Sequence, residues 1–162
     1  MAPFCHVLEV EPAVTSLLRR AFRRWLAGWP SEEADDLVMA LNEAVANVVD
    51  HAYLEADPGR YRKVRVLAEQ VRSPDGERRV RIEVTDSGRW RPIPANPGHR
   101  GRGLAMMRAC TEALDIEPTG AGTRVSMLSR PVHHADSPAL SNDDQPAERP
   151  AAWRPRGEAR SA

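Results

Sequence analysis

Apolar residues in this chain change period several times, and each change marks an element. Val14, Leu17, Leu18, Ala21, Phe22, Trp25 and Leu26 recur at helical spacing through Ala27, with Arg19, Arg20, Arg23 and Arg24 turned the other way. Pro12 suits the start of this helix, and Gly28 and Pro30 end it. A second helix begins near Ser31, a good N-cap followed by Glu32 and Glu33, whose charge favours a first turn. At about 100° per residue, Leu37, Leu41, Val45, Val48 and Ala52 fall on one stripe. Val38, Met39, Ala40, Ala44, Ala46 and Val49 widen the apolar arc past half the circumference, so this helix is expected to be covered on most sides. Asp36, Glu43, Asn47 and Asp50 share the remainder, with His51 at its edge.

Elsewhere the period shortens to two. His6 to Val10 alternates weakly and predicts a short first strand. After the Asp57-Pro58-Gly59 turn, Val64, Val66 and Ala68 alternate. Beyond Ser73-Pro74-Asp75-Gly76, so do Val80, Ile82 and Val84, the pattern of a hairpin with one buried face. Asp86 continues the second series, so its carboxylate should point inward, where a charge needs a specific partner. Residues 87–103 have no period, and a loop of that length in a compact domain is often functional. Leu104, Met107, Cys110, Ala113 and Leu114 predict a third helix. Asp115-Ile116-Glu117 and Thr123 to Leu128 predict closing strands, with Thr123 on the inward parity of Val125 and Met127.

Composition divides the chain in two. Residues 1–130 carry the periodic pattern of one domain. From Pro131 to Ala162 the chain is rich in Pro, Ala, Ser, Asp and Arg and is expected to be a disordered tail, with Trp153 its one large aromatic. Lys and Arg total 23 against 23 Asp and Glu, a balance that argues against nucleic acid or an anionic membrane as direct partner. Cys5 and Cys110 lack metal or redox spacing, which favours free thiols. No apolar run reaches the ~20 residues of a membrane span and no signal peptide opens the chain, so the expected location is cytoplasmic.

Two stretches carry candidate chemistry. Glu43 and Asn47 stack one turn apart, about 6 Å along the axis. This sets a carboxylate base beside an amide oxygen, as metal-assisted phosphoryl transfer would need; a solvated polar stripe is the other reading. Gly98-His99-Arg100-Gly101-Arg102-Gly103-Leu104 is glycine-rich and opens a helix, whose amides and dipole can hold phosphate oxygens. A flexible connection explains the glycines equally well. Lys63 is the only lysine and no Gly-Lys-Ser/Thr is present, so this is not a Walker loop.

In order, these stretches resemble the boxes of the GHKL ATPases, and most closely those of the anti-sigma-factor serine kinases of the RsbW-like group. Asn42-Glu43-Ala44-Val45-Ala46-Asn47-Val48-Val49-Asp50-His51-Ala52-Tyr53 looks like the N box. Asp86-Ser87-Gly88-Arg89-Trp90 resembles the first glycine box, Gly101-Arg102-Gly103-Leu104 the second, and Gly122-Thr123 the closing motif. The resemblance implies an α/β two-layer sandwich of the Bergerat type, a mixed sheet backed by helices, with ATP under a mobile lid. It implies Glu43 as general base, Asn47 as ligand to Mg²⁺, and Asp86 as acceptor from the adenine amino group. Gly88 would give the base close access and Thr123 would support it. Gly101, Gly103 and the amides up to Leu104 would cradle phosphates, with Arg100 or Arg102 on the γ-phosphate and the choice between them open. His51 matches a frequent family position and is assigned a structural role. Trp90 stands where the wider superfamily often has glycine, which bears on lid closure and turnover.

The resemblance further implies a kinase that phosphorylates a serine on an anti-anti-sigma (STAS-type) protein and sequesters a sigma factor, commonly as a homodimer. The alternative is a partner-binding module that holds ATP without useful turnover. A histidine kinase catalytic domain is disfavoured, since no helix with a phospho-accepting histidine precedes these boxes.

Overall fold

The computed structural model describes residues 2–51, 62–73, 76–88, 102–120 and 122–132. The elements run β1 (Phe4–Glu9), α1 (Pro12–Trp25), α2 (Ser31–His51), β2 (Lys63–Arg72), β3 (Arg78–Asp86), α3 (Arg102–Cys110), β4 (Ala113–Thr119) and β5 (Gly122–Leu128). The lid segment and the tail beyond Val132 lie outside the described residues, as do Arg100 and Gly101.

The alternation read from the sequence becomes a layer. Val64, Val66 and Ala68 of β2, Val80, Ile82 and Val84 of β3, and Val125 and Met127 of β5 are all buried. They form one core with Leu18 and Phe22 of α1, Leu37, Leu41, Val45 and Val48 of α2, and Leu104 and Met107 of α3. Phe4, Phe22 and Trp25 interlock β1 with α1, the Phe4 and Phe22 rings 5.2 Å apart edge to face and Phe22 and Trp25 5.5 Å apart stacked. Residues of opposite parity form a charged outer face. There Arg81 pairs with Glu69 at 3.0 Å and Arg124 with Glu117 at 3.1 Å, each across a strand pair. Met39 is an exception to the covered helix expected from its pattern, being 43% exposed.

The strand order is β1-β2-β3-β5-β4, and every pairing among the described strands is antiparallel. The two-layer α/β sandwich is therefore present, but its sheet is not the mixed one expected. β3 and β4 both run opposite to β5 and hence parallel to each other, so the link between them must cross the sheet. That link carries α3 onto the core face, and β5 turns back into the gap, so no parallel pair forms.

The third helix is shorter than its apolar spacing predicts. It ends at Cys110, and Ala113 and Leu114 already belong to β4. The buried Thr111 hydroxyl donates to the Met107 carbonyl at 2.7 Å, and the Glu112 N–H donates to Leu128 O at 2.9 Å, which starts the ladder. At the other boundary, Val132 is buried and bridges to Arg78, so packed chain continues past residue 130. Among the described residues no helix is long and apolar enough to cross a membrane.

Cys5 and Cys110 are free thiols, Cys5 exposed and Cys110 buried. Burial pushes the Cys110 thiol up, and the neighbouring Asp36 carboxylate adds to the shift. Since the thiolate is the nucleophile, a maleimide should modify Cys5 rapidly and Cys110 only after unfolding. Mass spectrometry of timed samples checks this; simultaneous labelling of both would contradict the packing of α3.

Candidate functional site

α2 and β3 leave from the same pole. Trp29, just before α2, has the Arg78 guanidinium of β3 over its ring at 5.1 Å. From Ser31 to Asn47 a helix rises about 24 Å, and from Arg78 to Asp86 a strand advances about 26 Å. Asn47 lies near the far end of α2, and Asp86 lies at the far end of β3. Glu43 and Asn47 are both half-buried.

Gly103, in the first turn of α3, lies directly against this pair. A β-carbon at 103 would stand 2.9 Å from Glu43 Oε2, 3.6 Å from Asn47 Oδ1 and 3.7 Å from Asn47 Nδ2. A glycine is what lets the start of α3 come this close. The helix beginning, with its unpaired N–H groups and positive dipole end, is thus set over a carboxylate and an amide oxygen. Leu104 anchors α3 in the core, being only 8% exposed, while the Arg102 side chain is exposed.

Asp86 closes β3 and faces the helix layer with Thr123, its register partner on β5; both are buried. Gly88 N–H donates to Asp86 Oδ1 at 2.7 Å. Burial raises the Asp86 carboxyl above the ordinary aspartate value, and backbone donors from Gly88 and Thr123 pull it partly back. A charge held in this way is costly to the empty protein and ready to accept from a ligand donor.

Gly122 is the site residue whose role sequence reasoning missed. At φ +153°, a β-carbon there would lie 1.8 Å from the Asp86 carbonyl oxygen and 2.7 Å from Ser87 Cα. This glycine lets β5 close against the end of β3 and sets Thr123 beside Asp86. Its signal was the Gly-Thr pair ahead of an inward-facing series.

The Asp86 shift has a defined sign. A folded value above the unfolded one means that the native state binds more protons, so this group favours folding at low pH. That contribution is lost as pH rises through the folded value. A ligand amino group donating to the carboxylate needs the ionised form, so the affinity of any such ligand should fall with acidity and begin falling above the ordinary carboxylate range. Asp86→Asn should leave stability at neutral pH equal or higher while weakening a ligand that donates to this carboxylate by about ten- to a hundredfold. Calorimetry and thermal melts across pH 4–8 test both; lost stability with unchanged affinity would make Asp86 purely structural.

The donor set also suits Mg²⁺. Among the described residues no group of three or more His, Cys, Asp or Glu side chains could hold a metal alone. Magnesium characteristically takes one or two protein oxygens and completes its shell with phosphate and water. Asn47 Oδ1, beside the start of α3, fits that limited part.

Residues 8–128 match the model of the histidine kinase-like ATPase domain. Among solved structures, the chain is similar to the RsbU and RsbW domains of Rv1364c from Mycobacterium tuberculosis. The two are 27% identical with a TM-score of 0.60, over 81% of this chain and 33% of that one. The chain thus spans about a third of the length of that neighbour.

Proposed function

From the premise that this chain belongs to the histidine kinase-like ATPase family, we propose that it is a cytoplasmic protein serine kinase of the anti-sigma-factor type. In this reading it uses Mg-ATP to phosphorylate a serine on an anti-anti-sigma protein and sequesters a sigma factor when that antagonist is absent. The observation that carries the reading is the contact of Gly103 with Glu43 and Asn47, which lays a helix N-terminus across a base and an amide oxygen. The burial of Asp86 and of its register partner Thr123 supports their reading as the adenine seat.

The chemistry follows from these positions. Asp86 accepts from the adenine amino group, with Thr123 in support and Gly88 leaving room for the base. Amides at the start of α3, from Arg102 through Leu104, receive phosphate oxygens; Gly101 is assigned to the same cradle, and Arg100 or Arg102 to the γ-phosphate, by their match to the second glycine box. Asn47 Oδ1 would hold a magnesium ion there, which when bound would supply neutralisation of the phosphate charge. Glu43 takes the proton of the acceptor serine as its oxygen bonds to the γ-phosphorus. The bond from phosphorus to the β–γ bridging oxygen breaks, and ADP leaves.

The test is incubation with Mg-ATP and a STAS-type antagonist, followed by phosphoserine mapping. Transfer that Glu43→Ala abolishes is the expected result. No transfer from wild type, or undiminished transfer by the variant, rejects the kinase. If ATP-dependent partner binding then remains and is lost in Asp86→Asn, the chain is the non-catalytic binding module.

A further inference from the structure

The placement of α3 decides where its N-terminal amides sit, and its other end is held by groups outside the boxes. Asp36 lies seven residues before Glu43, two helical turns away on the same polar stripe of α2. α3 runs along that stripe, with Gly103 against Glu43 and Asn47 at its start and Ala109 joined through Arg130 to Asp36 at its end. A carboxylate facing the carbonyl end of a helix is repelled by it. Arg130 stands between the two. Its Nη1 is 2.9 Å from Asp36 Oδ2, and its Nη2 donates to the Ala109 carbonyl.

Arg130 is itself on a fixed rail. Ser129 N–H donates to Val80 O at 2.9 Å, and its hydroxyl oxygen accepts from Val80 N–H at 2.9 Å. Two residues beyond Arg130, Val132 and Arg78 exchange backbone bonds of 2.8 and 2.9 Å. The guanidinium therefore projects from backbone tied to β3 on both sides and reaches α2 and α3 together.

We infer that Arg130 is a positioning residue for the triphosphate, a clasp that locks the C-terminal end of α3 to Asp36 so that its N-terminal amides stay over Glu43 and Asn47. The inference rests on the nucleotide site proposed above. Because the clasp acts on the phosphate-facing helix and not on Asp86, its removal must distinguish nucleotides by their phosphates.

The experiment titrates the full chain with Mg-ATP and with AMP by calorimetry, for wild type, Arg130→Ala, Arg130→Lys and Asp36→Asn/Arg130→Ala. Arg130→Ala should weaken Mg-ATP about tenfold and AMP less than about twofold, as loss of a half-exposed charge-assisted clasp would. It should also speed maleimide labelling of Cys110. The lysine variant should recover part of the affinity. Asp36→Asn should recover part in the alanine background, because it removes the carboxylate left facing the helix end. Equal weakening of both nucleotides, unchanged Mg-ATP affinity or no recovery by either second change overturns the clasp. If the alanine variant does not fold, the same comparison of nucleotides in Arg130→Lys decides, with selective weakening of Mg-ATP expected. Failure of wild type to bind either nucleotide sinks the site itself, a result distinct from an unaltered Arg130→Ala.

Discussion

Glu43→Gln is expected to slow phosphoryl transfer by about a hundred- to ten-thousand-fold while changing Mg-ATP affinity by less than about twofold. The amide has the shape of the carboxylate and can keep the contact with the first turn of α3, where Gly103 leaves room for it. It cannot take a proton from the acceptor hydroxyl of the proposed reaction. The interaction lost is therefore one made in the transition state, and the rate of the bound complex should carry the whole effect. Single-turnover transfer from labelled ATP, with calorimetry on the same preparations, separates the two quantities. Weakened binding at an undiminished rate would make Glu43 a ground-state ligand and would move the base elsewhere.

Gly122→Ala should be the most damaging small substitution in the fold. Its methyl group would sit 1.8 Å from the Asp86 carbonyl oxygen, backbone that no rotamer can move aside. Its φ of +153° is also one that side-chain-bearing residues rarely adopt. Either the β3–β5 ladder opens at its end or the strain is carried in full, a loss of about 4 kcal/mol or more. For a domain of this size that lowers the melting temperature by about 10 °C. Opening the ladder also parts Asp86 from Thr123, so adenine nucleotide affinity should fall with stability. Gly120→Ala is the control, since nothing lies within 4 Å of a β-carbon there. Equal melting temperatures for the two variants would show that β5 does not close on Asp86 as described.

Much of the site was legible because its residues obey the period of their own elements. Asp86 and Thr123 were expected inward by parity, and both are buried. Glu43 and Asn47 were placed together by helical spacing, and both border Gly103. Where local period misled, a distant partner intervened. Ala113 and Leu114 keep the spacing of the preceding helix, yet β5 claims them as ladder residues paired with Leu128 and Met127. The mixed sheet failed for the same kind of reason, since β5 enters between two parallel strands that could otherwise have paired.

The amino-acid order by itself determined where most helices and strands lie, which face of each is buried apart from Met39 and the start of β4, and which polar groups interrupt those faces. Side-chain period and burial are local properties, repeated every two residues or every 3.6. Only the tertiary structure decided which groups meet: Gly103 against Glu43, Gly122 beneath Asp86, and Arg130 on Asp36, a bond that spans 94 positions of chain. Such contacts follow from strand order and from where one helix comes to rest on another. Those are settled by the packing of the whole core, and no window along the chain contains them.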